Sequence, residues 1–201
     1  MDTDISTADT APTGPTATTT VSLKEWGAAI HALLQGRQQI LLRKGGIHEK
    51  AFAAPEDDGG FLLFPTVAHT HAERTRPEHH DLLGPGDRDA TDDQVVRAGV
   101  HVVDVVEVVR PERLPELDDL HIWTAESIRT DRVEFRPKHP LQILVVQAIE
   151  LPEPIVLPRL DAYGGCKSWI DVHAEWDGSG RVVGDREELL RVSHRVRSTV
   201  G

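Results

Sequence analysis

Leu141 to Leu151 reads Leu-Gln-Ile-Leu-Val-Val-Gln-Ala-Ile-Glu-Leu, and only Gln142, Gln147 and Glu150 interrupt its apolar character. Such a run suits a central strand covered on both faces rather than one with a wet side. A chain that must bury it needs strands beside it and helices or loops above and below. Val100–Val109, rich in valine, supplies a second strand. Its polar residues His101, Asp104, Glu107 and Arg110 recur at every third position, which fits neither clean alternation nor a helix. A β-bulge that resets the alternation accounts for the pattern.

The remaining elements follow from caps, breakers and periodicity. Ser22-Leu23-Lys24-Glu25 has the form of a capping box, and Leu23, Trp26, Ile30, Leu33 and Leu34 follow at helical spacing as far as Gly36. This predicts a helix from Ser22, then a strand over residues 38–44 stopped by Gly45-Gly46. Phe61–Phe64 predicts a short buried strand stopped by Pro65, with Thr66 capping a short helix. Gly84-Pro85-Gly86 predicts a break, and Thr91-Asp92-Asp93-Gln94 a second capping box whose helix ends at Gly99. Thr124 caps a helix to about Arg132. Ile170, Val172 and Ala174 alternate with polar residues, and Asp177-Gly178-Ser179-Gly180 turns that strand into Arg181–Val183 as a hairpin. Asp185 and Glu188 cap a final helix.

Strands and helices mix without regular alternation, and no internal repeat is present. The expected class is α+β: one compact domain with a mixed or antiparallel sheet flanked by helices. Residues 1–20 hold almost no large apolar side chains and are expected to be a disordered tail. Residues 21–174 form the domain, and residues 175–201 a C-terminal hairpin and helix extension.

Composition excludes several classes. Cys166 is the only cysteine, so no intrachain disulfide and no cysteine-based zinc site can form. A reducing, cytoplasmic location is the default. No apolar run approaches the ~18 residues of a membrane span, and the N-terminus has no secretory signal pattern. The net charge of −11 is concentrated: residues 53–119 carry 16 acidic and 6 basic side chains. Extended nucleic-acid binding by the whole surface is disfavoured, because phosphate contacts need clustered Lys and Arg. Residues 21–50 carry five basic and two acidic side chains, a basic edge able to meet an anion.

Four motifs join an apolar run to a turn rich in Gly, Pro and polar donors. Arg43-Lys44-Gly45-Gly46 places two cations beside two glycines whose backbone N–H groups can cradle phosphate or carboxylate, although no GxxxxGK[ST] pattern is present. His69-Thr70-His71, with His79-His80-Asp81 beyond it, has the look of a metal cluster. Glu73 and Arg74 stand where a metallo-β-lactamase motif wants Asp and His, so a solvated histidine-rich loop is the preferred reading, with no metal and no cofactor. Cys166 lies beside Lys167, which can activate a thiol, but neighbours on an extended segment point to opposite faces. A buried, inert cysteine is expected. Ser168 is not in a GxSxG elbow. Trp26, Trp123 and Trp169 sit at element boundaries, where indoles either pack in the core or stack on a flat ligand. Arg129, Arg132, Arg136 and Lys138, interrupted by Asp131 and Glu134, read as a helix face laced with ion pairs.

The order and content of these motifs resemble the bacterial family DUF1802, whose activity is unassigned. The features that carry the resemblance are Leu23-Lys24-Glu25-Trp26, residues 33–36, Leu41 to Glu49, Phe61 to Thr66 with His69, His121 to Thr124 with Arg132, Leu141 to Val146, and Tyr163 to Trp169. It covers about residues 21–174, and His71 stands where the family pattern has Gln. Some members look to be joined to restriction-endonuclease-like modules, which implies a role near DNA modification or defence; no Asp…Glu-x-Lys nuclease core is recognised here. The expected site is a concavity formed by Arg43, Lys44, Gly45, Gly46, Glu49, Thr66, His69, His121, Trp123, Thr124, Arg132, Lys167 and Trp169. The expected function is non-catalytic binding of a small anionic ligand, nucleotide or nucleic-acid-like, with no membrane partner. The alternatives are a metal- or thiol-dependent hydrolase and an acidic protein-interaction adaptor.

Overall fold

The computed structural model describes residues 19–44, 60–67, 70–91 and 93–201. The readings placed on residues 1–18, on Gly45, Gly46 and Glu49, on His69 and on Asp92 lie outside the described residues.

The apolar run of 141–151 does become an interior strand of the sheet, next to an edge strand. It forms the first part of β5 (Leu141–Leu157), which pairs antiparallel with β4 (Gln94–Glu107) from Glu107↔Gln142 to Gln94↔Leu157. The other edge of β5 pairs with β2 (Ile40–Lys44) and then with β7 (Arg181–Val183). The sheet order is β2-β5-β4-β3-β1-β6, with β1 Thr20–Trp26, β3 Phe61–Thr66 and β6 Trp169–Val172. Only β1 and β3 run parallel among these pairs. The β4–β5 register shifts between Val96 and Ala98 and again between Val102 and Asp104. The second bulge falls inside the stretch whose polar residues recur by threes.

Helices and tight turns complete the half-barrel. They are α1 (Gly27–Leu34), α2 (His71–Arg74), a 3-10 turn Pro77–Leu82, α3 (Leu83–Thr91), a 3-10 stretch Pro111–Leu120, α4 (Ala125–Ile128), a π-helical turn Arg129–Glu134, a 3-10 turn Asp161–Tyr163 and α5 (Arg186–Val200). Successive side chains of β5 enter different cores. Ile143 and Val145 pack with Leu117, Ile122, Leu189, Val192, Val196 and Val200, whereas Leu144 and Val146 pack with Leu23, Leu33, Phe61 and Leu63. Each such side chain contributes roughly 1.5–3 kcal/mol on burial, so a strand covered on both faces stabilises the fold from two sides. Asp185 caps α5 by accepting from Glu187 N at 3.0 Å.

Ser22 does not cap a helix. Residues 20–26 form β1, held between β3 (Ser22↔Leu62) and β6 (Ser22↔Ile170), and α1 begins only at Gly27. Two flanking strands satisfy the backbone that a local capping box would have served, and Ser22 Oγ donates to Leu62 O at 3.1 Å instead. Gly36 does end the helical segment, at φ 69°. Thr66 caps nothing either: β3 continues through Pro65, where β4 no longer pairs, and Thr66 Oγ1 donates to Glu25 O at 3.0 Å.

Two further readings are corrected. Thr91 closes α3 rather than opening a helix, and β4 starts at Gln94. Gly84, Pro85 and Gly86 lie within α3, where proline in the first turn forfeits no helical bond. Gly86 faces Gly27 so closely that a Cβ on Gly27 would lie 2.3 Å from Gly86 O. Those glycines permit two helices to touch. Residues 177–180 do not make a hairpin, because β6 pairs with β1 and β7 pairs with β5. Among the described residues no helix is long and apolar enough to cross a membrane.

Candidate anion-binding site

The parallel strands β1 and β3 end together, with Trp26 opposite Thr66. Glu25, only 4 % exposed, is the pivot of that end. Its Oε1 accepts from Trp26 N at 2.8 Å, and its Oε2 meets Arg43 Nη1 at 3.3 Å. The same Arg43 nitrogen donates to Lys24 O at 3.2 Å. A carboxylate this deep is tolerable only when paired, so Glu25 and Arg43 stabilise each other's burial.

Trp26 carries the next layer. The His71 ring lies 4.2 Å from it, Trp123 meets it edge-on at 4.9 Å, and the Arg74 guanidinium carbon sits 5.6 Å from the ring centre. Arg74 Nε pairs with Asp131 Oδ2 at 3.1 Å. The Arg74 carbonyl accepts from Thr124 N at 2.9 Å and Ser127 Oγ at 3.1 Å, which fixes α2 against α4. Thr124 Oγ1 caps α4 by accepting from Ser127 N at 3.2 Å. Burial lowers the His71 pKa, against the pull of the Asp87 carboxylate 3.2 Å from Nδ1.

Arg132 completes the cluster from the π-helical turn. Half-buried, it lies within electrostatic reach of Glu25, Arg43, Asp131 and Arg74, and desolvation is the main cause of its lowered pKa. Among the described residues its only hydrogen bond runs from Nη1 to Asp131 O at 3.2 Å, and no ion pair involves it. Among the described residues, the guanidiniums of Arg43, Arg74 and Arg132 lie near the carboxylates of Glu25 and Asp131. Planar guanidinium forks match the oxygens of carboxylate and phosphate.

Lys44 is spent on the backbone. Its ammonium donates to the carbonyls of Arg132 at 2.7 Å, Val133 at 3.0 Å and Phe135 at 2.6 Å, capping the end of the π-helical turn. His121, 1 % exposed, belongs to the wall behind the site: its Nδ1 accepts from Trp123 N at 3.2 Å. Burial, with Arg76 adding to it, pushes His121 down to about 4. Arg76 bonds Asp118 O at 2.7 Å and His121 O at 2.6 Å, which holds that wall in place.

Lys167 and Trp169 lie with a different set. Lys24 donates from its backbone N to Ser168 O at 2.9 Å and from Nζ to Gly164 O at 3.2 Å and Gly165 O at 3.1 Å. Trp169 meets Phe61 edge-on at 4.8 Å. Successive strand side chains point to opposite faces, so Lys24 and Glu25 hold the two sets apart. Cys166 is exposed, not the buried small hydrophobe expected of a cysteine without a catalytic partner. Among the described residues no three His, Cys, Asp or Glu side chains group as a metal would require.

Of the residues singled out from sequence, Arg43, Thr66, Trp123, Thr124 and Arg132 gather around Glu25 and Trp26. Glu25, Arg74 and Asp131 escaped the sequence reading as site residues. Glu25 lay in a quoted motif but read as a cap, and nothing local marks Arg74 or Asp131.

The architecture is thus a mixed-sheet half-barrel with flanking helices and an arginine cluster at the end of its parallel pair. The chain belongs to the family described as domain of unknown function DUF1802, whose model matches residues 22–194. The fold is similar to the crystal structure of ASCH from Zymomonas mobilis at 10% identity and a TM-score of 0.43, covering 88% of this chain and 94% of that one. A point-mutant form of that protein matches at 14% identity and a TM-score of 0.44, over 86% and 96% of the two chains. At these values the likeness carries no argument about function. No curated protein matches.

Proposed function

We propose that this domain is a non-catalytic module that binds an anionic ligand, nucleotide or nucleic-acid-like, at the cluster of Arg43, Arg74 and Arg132. The observation that carries the reading is Arg132. A guanidinium partly withdrawn from water calls for acceptors, and among the described residues half-buried Arg132 keeps a single backbone one. An oxyanion beside Arg132 would supply acceptors for its remaining N–H groups, with Arg43 and Arg74 adding positive charge. Half-buried Trp26 is the indole beside them, whereas Trp123, 4 % exposed, packs in the core behind it. The carboxylates of the cluster are tied to guanidiniums, an arrangement that holds charge rather than moves a proton. The acidic character of the rest of the surface favours a short or terminal anion over a long polyanion lying across the protein.

Thermal unfolding with inorganic phosphate, nucleoside mono- and triphosphates and short single-stranded oligonucleotides, at matched ionic strength, tests the proposal. At least one phosphate-bearing compound should raise Tm in a saturable way, since a ligand at 100 times its Kd adds about 2.7 kcal/mol. If none does, the reading fails.

A further inference from the structure

A separate cavity of about 320 Å³ opens on the Lys24 side of the same strand ends. Its walls include Phe64 and Tyr163, whose rings meet at 5.4 Å, together with Pro65 and Leu160. Two polar side chains give it direction. Gln94, 7 % exposed, lines the cavity and donates from Nε2 to Ala90 O at 3.1 Å. That carbonyl requires the nitrogen of the amide, so the orientation of Gln94 is fixed and Oε1 is turned away from it. Oε1 has no hydrogen-bond partner among the described residues. Arg159 Nη2 donates to the same Ala90 oxygen at 2.8 Å, and its other N–H groups have no partner among the described residues. One carbonyl thus anchors an acceptor and a set of donors side by side.

We infer that this cavity is a pocket for a nucleobase or a similar flat heterocycle presenting an N–H next to an acceptor atom. Gln94 Oε1 accepts from the N–H, Arg159 donates to the adjacent ring carbonyl or nitrogen, and the ring lies along the apolar wall. Every nucleobase has an edge with a donor beside an acceptor, and side-chain amides and guanidiniums are the groups that read such edges. The volume lies at the small end of ligand pockets, suited to one base with its sugar and too small for a duplex. Deep placement of the Gln94 amide also explains why a polar side chain occupies the start of a core strand.

The inference stands apart from the arginine cluster, and uncharged probes keep the two distinguishable. The full chain is titrated with adenosine, cytidine, guanosine and uridine, and with N6,N6-dimethyladenosine and 3-methyluridine, in which methyl groups replace the N–H. At least one nucleoside should bind saturably, and Arg159→Ala and Gln94→Met should each weaken it tenfold or more. If adenosine or uridine is the one bound, its methylated form should lose as much. No binding by any nucleoside up to its solubility limit overturns the inference, as does affinity unchanged in both variants. Should Gln94→Met fail to fold by circular dichroism, Arg159→Ala at the exposed rim decides alone, and unchanged affinity there overturns it. Loss of phosphate binding with nucleoside binding intact would sink the anion proposal and leave this one standing.

Discussion

The ammonium of Lys44 lies 2.7 Å from the backbone carbonyl of Arg132 and reaches the carbonyls of Val133 and Phe135 at the end of the same turn. A residue that the sequence offers as an anion ligand is instead the bolt between β2 and the turn that carries Arg132. Lys44→Met should therefore lower stability by on the order of 1–2 kcal/mol, the range for hydrogen bonds to a charged group that is partly solvated. Anion affinity should fall with it, because Arg132 loses its support. Urea unfolding beside a phosphate titration checks this. Weakened binding at unchanged stability would mean that Lys44 touches the ligand directly.

The contact between α1 and α3 runs through two glycines. Gly27→Ala and Gly86→Ala should each destabilise by about 1–3 kcal/mol, the cost of forcing atoms into a packed interface, despite the higher helix propensity of alanine. Gly84→Ala, in the same helix, meets only the end of the Arg88 side chain at 3.6 Å and should be neutral or stabilising. Chemical denaturation of the three variants separates these outcomes. Equal effects at all three positions would refute the close-contact account.

His121 should make stability fall with acid. Its folded pKa is about 4 against an ordinary value of 6.5, so between those values the unfolded chain binds the proton and the native one does not. Its contribution is complete above pH 6.5 and is lost as pH falls toward 4, amounting to roughly 3 kcal/mol over that range. Unfolding free energies measured from pH 7 to pH 4.5 should show this slope. His121→Asn, which keeps an acceptor for the Trp123 N–H, should flatten it; an identical slope in the variant would assign the acid sensitivity to other groups.

Much of the fold is legible because its causes are local. The 141–151 run announces a strand with two buried faces, the threefold spacing in 100–109 betrays the bulge between Val102 and Asp104, and Gly36, Thr124 and Asp185 mark termini by their own chemistry. Ser22-Leu23-Lys24-Glu25 misleads because its backbone is claimed by β3 and β6, partners distant in sequence. The site is legible only in part for the same reason. Arg43 and Arg132 stand out as cations in motifs, but Glu25–Arg43 and Arg74–Asp131 pair across elements that no local pattern connects.

The most direct test of the account compares the wild-type chain with Arg132→Gln by isothermal titration with inorganic phosphate and a 5′-phosphorylated dinucleotide at several salt concentrations, alongside urea unfolding. Removing a half-buried guanidinium that keeps one backbone acceptor should change stability little. Affinity for the phosphate-bearing ligand should drop tenfold or more, with a shallower salt dependence, because one charge contact is gone. Equal affinity in the two proteins, or a variant that loses stability while still binding phosphate, would show that Arg132 is there to hold the fold and not to hold an anion.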